Sequence, residues 1–123
     1  MKFKLTSEFP LLKKYKEKFA INENTIFAYD SVIYTNYDLP EHLIIHEQTH
    51  LKQQERYGLA NWVNAYLEDS EFRLKMEIEA YRKQLASVKD RNERNNFKIK
   101  CCQDLSSALY GNLLTYNLAF KKL

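Results

Sequence analysis

The sequence is poor in glycine, proline and cysteine, with two residues of each in 123. So little glycine and proline excludes a collagen-like repeat or a low-complexity linker, and it favours long helices. The cysteines, Cys101 and Cys102, are adjacent, so they make neither the paired framework of a secreted disulfide scaffold nor a metal site of their own. This pattern indicates a reducing compartment, and we expect a cytoplasmic protein.

Long apolar runs are also missing. Charged residues interrupt the first twenty positions throughout, which argues against a signal peptide, and no stretch reaches the roughly twenty apolar residues that span a bilayer. The net charge is +3, and much of it comes from lysines at positions 2, 4, 13, 14, 16 and 18. Without an arginine-rich or aromatic-interleaved basic block, these lysines indicate a solvated face, and we expect binding to neither membranes nor nucleic acid.

The remaining composition, 45% hydrophobic and 28% charged, is typical of one globular domain spanning residues 1–123. Residues 10–20 predict a short helix or an extended arm. Two β-branched and aromatic runs, Thr25–Tyr29 and Val32–Thr35, flank Asp30-Ser31 and predict a β-hairpin. The fold class expected is α+β, mostly α, with about four helices after the hairpin.

The first of these helices is predicted from Asp38, as its capping residue, through Pro40 to a stop at Gly58. Residues 59–67 predict a short helix or a link, and a strongly helical pattern runs from Ser70 to about Val88. The polar run 89–96 either breaks that helix or continues it. A last helix is expected over residues 97–123, with a kink at Gly111.

All three histidines of the chain lie in the first of these helices, at positions 42, 46 and 50. Residues four apart lie on one face of an α-helix, so His46 and His50 can hold one zinc ion, with Glu47 beside them as a general base toward water. His42 is too far from His50 to share the ion and is predicted to be a rim residue. A helical wheel predicts that one face of this helix points toward the core. That face is formed by Leu43, Ile44, His46, Glu47, His50, Leu51 and Tyr57.

A zinc ion held by two histidines needs a third protein ligand, and no histidine follows position 50. A metzincin pattern is excluded because Gln53 and Arg56 occupy its glycine and histidine positions. The next helix offers Glu77, at the edge of its apolar face, and Glu79, between Lys75 and Lys83 on a face typical of solvated ion pairs. The wheel therefore favours Glu77 as the ligand, the alternative being a boundary carboxylate without a metal.

His46-Glu47, His50 and the later Glu77-Ile78-Glu79-Ala80 together resemble the gluzincin metallopeptidases, in which the later glutamate is the third zinc ligand. The wider pattern is similar to small uncharacterised proteins with an H-E-x-x-H motif in bacteriophage genomes, so a virion or a phage-infected host cell is an alternative location. The resemblance implies a minimal zincin-like domain and a peptide or protein substrate. It also implies a cleft whose upper rim is the strand near Val32–Thr35, which could pair with an extended peptide, and a helix of Glu77 that packs against the helix of His46. Where many gluzincins have Asp or Asn beside the alanine, this chain has Tyr81, so no partner for the histidines is predicted.

An amide hydrolase also needs a donor to the developing oxyanion besides zinc. Tyr81, Tyr110 and Tyr116 are candidates, and Tyr110, beside Gly111, is the preferred one, with an ordinary half-buried tyrosine as the alternative. Two functions remain open. One is a zinc-dependent metallopeptidase, and the other is a non-catalytic structural or interaction protein in which zinc stabilises the fold. An open coordination position facing a groove would favour the enzyme.

Overall fold

In the structure, a computed structural model that describes residues 2–107, 110–111 and 114–123, a small three-stranded sheet packs beside a larger set of helices. The described residues form three strands and six α-helices, so the expected α+β class, mostly α, is confirmed. One helix, α1, precedes the hairpin and five follow it, against about four expected after it.

The hairpin is formed by β2 (Phe27–Tyr29) and β3 (Val32–Tyr34), which pair antiparallel as predicted. Asp30 and Ser31 have φ values of 50° and 67°, the left-handed conformation that a tight two-residue turn requires at both positions. The sequence did not predict β1 (Lys2–Lys4), which pairs in parallel with β3. Strand β3 is therefore central, with both edges occupied, so the prediction that Val32–Thr35 pairs with an extended peptide is wrong.

The N-terminal segment is part of the folded core. Helix α1 (Leu12–Lys18) confirms the helical alternative for residues 10–20 and excludes the extended arm. Phe9 stacks on Phe27 of β2 with 4.4 Å between ring centroids, and Tyr15 contacts the same ring edge-on. These aromatic contacts fix α1 against the sheet.

Helix α2 (Glu41–Tyr57) carries the three histidines. It begins one residue after Pro40, which has extended backbone angles, and no side chain caps its first turn, so the predicted cap by Asp38 is wrong. It ends at Gly58 as predicted, with φ at +87°, a conformation that L side chains rarely adopt. Gly58 thereby lets the chain turn directly into the next helix.

Four further helices follow. Helix α3 (Leu59–Glu68) confirms the helical alternative for residues 59–67, and α4 (Ser70–Ser87) begins where Asp69 accepts hydrogen bonds from two backbone N–H groups. The polar run 89–96 breaks the helix, because Asp90 caps a new one, α5 (Arg91–Leu105). The chain from 97 to 123 is not one kinked helix. Helix α5 ends at Leu105 and α6 (Tyr116–Lys122) is separate, while 108–109 and 112–113 lie outside the described residues.

Helices α2 and α4 pack against each other more extensively than any other pair of described elements, as the resemblance implied. One buried hydrophobic cluster, including Phe9, Trp62 and Met76, lies on the side of the sheet, and a second, including Tyr81 and Leu105, lies toward α5 and α6. Position 77 of α4 falls between the two clusters. Within the described residues, no helix combines the length and the apolar character needed to cross a bilayer.

Candidate metal centre

The buried face of α2 is polar. His46, Glu47 and His50 point inward as the helical wheel predicts, but the other buried positions are Thr49, Gln53 and Gln54. Leu43, Ile44 and Leu51 are only partly buried, and Tyr57 is exposed, so the wheel's assignment of Tyr57 to the core face is wrong. A helix that buries six polar side chains needs partners for each of them, because an unpaired polar group is costly inside a protein.

Glu77 of α4 meets both histidines of α2. Its Oε1 lies 3.2 Å from His46 Nε2 and its Oε2 lies 3.1 Å from His50 Nε2, while the two Nε2 atoms are 3.2 Å apart. All three side chains are at most 5% exposed. Helix packing therefore brings residues 27 to 31 positions apart into one compact triad, which is the arrangement the wheel favoured.

Two glutamines set the proton positions of the histidine rings. His46 Nδ1 lies 2.9 Å from Gln84 Oε1, and His50 Nδ1 lies 2.9 Å from Gln53 Oε1. Since an amide oxygen only accepts, each Nδ1 donates to its glutamine, and Nε2 is the ring nitrogen that faces the centre. Such partners on the outer nitrogen orient a ligating imidazole.

A buried carboxylate beside two imidazoles requires a positive charge next to it, from a proton on an imidazole or from a metal ion. The pKa values of His50 and Glu77 reflect this requirement. Burial by itself would lower the pKa of His50, but the charge and hydrogen bond of Glu77 outweigh it and raise that pKa to about 9. Burial would raise the pKa of Glu77, but the charge of His50 and hydrogen bonds from both histidines hold it well below its usual range.

The triad has the dimensions of a tetrahedral zinc site. Bonds of about 2.0–2.1 Å in a tetrahedron place neighbouring ligand atoms about 3.3 Å apart. The two Nε2 atoms are 3.2 Å apart, and each lies 3.1–3.2 Å from one oxygen of Glu77, Oε1 for His46 and Oε2 for His50. Two imidazoles and one carboxylate are also the donor set of catalytic zinc. Within the described part of the chain, no fourth His, Cys, Asp or Glu joins the group, so a bound ion would keep one position open. The residues present therefore fit zinc.

Helix α3 supplies a contact that no sequence pattern predicted. The Tyr66 hydroxyl donates a 2.5 Å hydrogen bond to Glu77 Oε2, and Trp62 stacks on the Tyr66 ring with 4.7 Å between centroids. Trp62 also contacts the ring of His50. The apolar pattern of residues 59–67 identified a helix, but nothing in it marks one tyrosine as the partner of a carboxylate in another helix.

Glu47 lies beside the triad but outside it. Its Oε2 is 3.9 Å from His46 Nε2, and the side chain is buried against the same cavity. Burial raises the pKa of Glu47, partly offset by the charges of His46 and His50. A raised carboxyl pKa suits a group that must take up and release a proton near neutral pH.

Glu79 does not lie on a solvated face between Lys75 and Lys83 as the sequence suggested. It is half-buried and accepts hydrogen bonds from Gln53 Nε2 at 2.7 Å and from Arg56 at 2.9 Å. Gln53 Nε2 donates to the Met76 carbonyl as well, at 3.0 Å. Glu79 thus helps fix the amide that orients His50, a role one contact removed from the triad.

Two of the three candidate tyrosines line the site. The ring of Tyr81 contacts His46 edge-on at 4.4 Å between centroids, and its hydroxyl lies 2.7 Å from that of Tyr110. Tyr110 is held through its carbonyl, which accepts from Arg73 Nε at 2.9 Å. Tyr116 packs instead on Phe120 within α6. Because one hydroxyl proton bridges the Tyr81–Tyr110 pair, the other stays free to donate elsewhere.

A cavity of about 760 Å³ opens on the triad. The segment 20–28 forms one wall, and Phe97, Cys101 and Asp104 of α5 form the other. The strand at its rim is β2 rather than β3. The backbone N–H and C=O of Ala28 point away from β3, because Tyr29 and Val32 close the hairpin. Gln54 Nε2 donates to the Ala28 carbonyl at 2.7 Å and so covers part of this edge.

Comparisons of the chain with protein-family models, with curated proteins and with solved structures give no match. The resemblance to gluzincins therefore stays a prediction. Any functional argument rests on the geometry of the triad, its hydrogen-bond partners and the cavity.

Proposed function

We propose that the protein is a zinc-dependent metallopeptidase that hydrolyses a peptide or related amide bond, with zinc held by His46, His50 and Glu77. The observation that carries the proposal is the convergence of two imidazole nitrogens and a carboxylate at the floor of a cavity, with 3.2 Å between the nitrogens and 3.1–3.2 Å from each nitrogen to one Glu77 oxygen. This arrangement supports a zincin-like site of the gluzincin type.

The chain's own residues supply the proton transfers. A zinc ion in the triad would contribute Lewis acidity, which polarises a carbonyl and acidifies water. Glu47, buried at the cavity floor with a raised pKa, would accept a proton from the attacking water and deliver it to the leaving amine. The free hydroxyl proton of the Tyr81–Tyr110 pair would donate to the developing oxyanion, the role predicted for Tyr110.

The second candidate is a non-catalytic structural or interaction protein in which zinc stabilises the junction of α2, α3 and α4. The near-complete burial of the triad favours it, since each ligand is at most 5% exposed. The cavity beside the triad and the raised pKa of Glu47 favour the enzyme, because a purely structural site needs neither an open coordination position nor a general base.

The two free, buried cysteines fit the cytoplasm as the place of action, including that of a phage-infected cell. Location in a virion is the alternative. The substrate is proposed as a peptide or protein segment that enters along the wall formed by residues 20–28.

The test compares zinc-loaded wild type with Glu47→Gln on an unfolded protein substrate. Both should bind one zinc ion per chain, while the variant cleaves at least about 100-fold more slowly, because it has lost its general base. Glu41→Gln, an exposed change at the start of the same helix, is the matched control and should cleave like wild type. A wild type that binds zinc and cleaves no substrate would reject the peptidase and support the structural role.

A further inference from the structure

The wall of the cavity formed by α5 carries an acid at one end. Phe97, Cys101 and Asp104 line the cavity from that helix, and their spacing of four and three residues places them in one row on a single helix face. His42 of α2, predicted from the sequence as a rim residue, also lines the cavity and contacts the Phe97 ring with 4.2 Å between centroids. The row therefore runs from a supported aromatic ring through a small apolar side chain to a carboxylate.

Asp104 has no cation in contact with it. The side chain is half-buried, no ion pair among the described residues includes it, and no hydrogen bond to its carboxylate is formed within them. Lys100, one turn earlier on α5, also lines the cavity but is exposed and does not pair with Asp104. Burial raises the pKa of Asp104, and the charges of Lys100 and His46 offset that increase only in part. A carboxylate in this position favours a ligand that brings its own cation.

This carboxylate lies near the triad. The charges of His46 and Glu77 both act on the pKa of Asp104. Burial and the charges of Glu77 and Asp104 raise the pKa of Tyr81, whose ring contacts His46. A peptide whose scissile bond lies over the triad would therefore place a neighbouring side chain against the α5 wall.

A lysine or arginine side chain matches this wall. Each has an apolar stem that packs along apolar surface and a cationic head that reaches a polar group beyond it. Phe97 and Cys101 offer the apolar surface, and Asp104 offers a carboxylate that a guanidinium can bind through two hydrogen bonds. An acidic side chain would meet a like charge, and an apolar one would leave the carboxylate desolvated without a partner.

We propose that Asp104 is a specificity-determining residue that selects a lysine or arginine side chain beside the scissile bond. The inference rests on the proposed peptidase and gives its substrate a chemical class, a basic peptide segment.

The test uses two blocked peptides that differ at one position, acetyl-Ala-Ala-Arg-Ala-Ala-amide and the same peptide with norleucine in place of arginine. Binding to the zinc-free protein is followed by the fluorescence of Trp62, the single tryptophan of the chain, which lines the cavity. Wild type should bind the arginine peptide about 10-fold more tightly, the contribution of one hydrogen bond between charged groups. Asp104→Asn should bind both peptides equally. Glu93→Gln, which removes an exposed acid of the same helix, is the matched control and should keep the preference.

The preference is a ratio of two affinities for one protein, so a partly unfolded variant does not change it. Equal or undetectable binding of the two peptides by wild type, or an unchanged preference in Asp104→Asn, would overturn the inference. A third peptide has norleucine and a free N-terminal amine. If Asp104 strengthens binding of that peptide and not of the arginine peptide, the carboxylate captures a peptide N-terminus and the inference is wrong. If zinc-loaded wild type cleaves neither blocked peptide but the preference is present, the peptidase is rejected while Asp104 still selects a basic segment.

Discussion

The hydroxyl of Tyr66 offers the sharpest single-atom test of the site. Replacing Tyr66 by phenylalanine removes the oxygen that donates to Glu77 Oε2 at 2.5 Å but keeps the ring that stacks on Trp62. Both side chains are buried, and Glu77 is only 1% exposed. The substitution therefore changes the carboxylate of the triad and leaves the packing around it.

The expected magnitude follows from the kind of bond. A hydrogen bond to a charged group contributes about 1.5–3 kcal/mol, and about 1.4 kcal/mol corresponds to a tenfold change in a dissociation constant. Without the hydroxyl, Glu77 is less firmly oriented and holds a proton more readily, which zinc must displace. Tyr66→Phe should thus weaken zinc binding by about 10–100-fold, the range for removing an outer partner of a metal ligand.

The assay is a chelator competition on wild type, Tyr66→Phe and Tyr34→Phe. Tyr34 is a buried tyrosine of β3 in the same aromatic core, so its variant controls for the loss of a tyrosine hydroxyl away from Glu77. Tyr34→Phe should bind zinc like wild type. If Tyr66→Phe also does, the hydroxyl does not support the carboxylate, and the triad is not held in the way described above.

Two further predictions concern the fold around the site. Gly58→Ala should lower the free energy of unfolding by about 1–3 kcal/mol in urea titration, because φ at this position is +87°, which strains any L side chain. An added Cβ would lie 3.5 Å from the Asn61 side chain, an ordinary contact, so the loss comes from backbone strain and not from a clash. An unchanged midpoint would mean that the α2–α3 junction is not held in this conformation. Native Cys101 and Cys102 should resist alkylation at pH 8, because burial raises the pKa of Cys101 to about 12 and Cys102 is fully buried. Mass spectrometry checks this, and rapid modification of the native protein would contradict the packing of α5.

The parts of the fold that could be predicted are those with a local signal. Asp30-Ser31 between two β-branched runs and Gly58 after the histidine helix are local signals for a turn and a helix end, and both are where the structure has them. Strand β1 had no such signal. Its three residues, Lys-Phe-Lys, become a strand only because β3, thirty positions along the chain, offers a free edge.

The same distinction applies to the site. The triad itself could be predicted from the sequence, because the spacing of His46 and His50 and the wheel position of Glu77 are properties of single helices. The hydrogen-bond partners of the triad could not be predicted in this way. Gln53 and Gln84 look like surface residues in sequence, and only the packing of α2 on α4 buries them against the histidines. The prediction that Glu79 lies on a solvated face was wrong for the same reason, because its partners Gln53 and Arg56 belong to another helix.

The central claim is that His46, His50 and Glu77 bind one zinc ion. X-ray absorption at the zinc edge of the loaded protein tests it most directly. We expect one zinc per chain, with two imidazole nitrogens and carboxylate oxygen at about 2.0–2.1 Å, and loss of the imidazole signal together with the metal in His50→Ala. A protein that retains no zinc, or zinc whose spectrum shows no imidazole, would contradict the account.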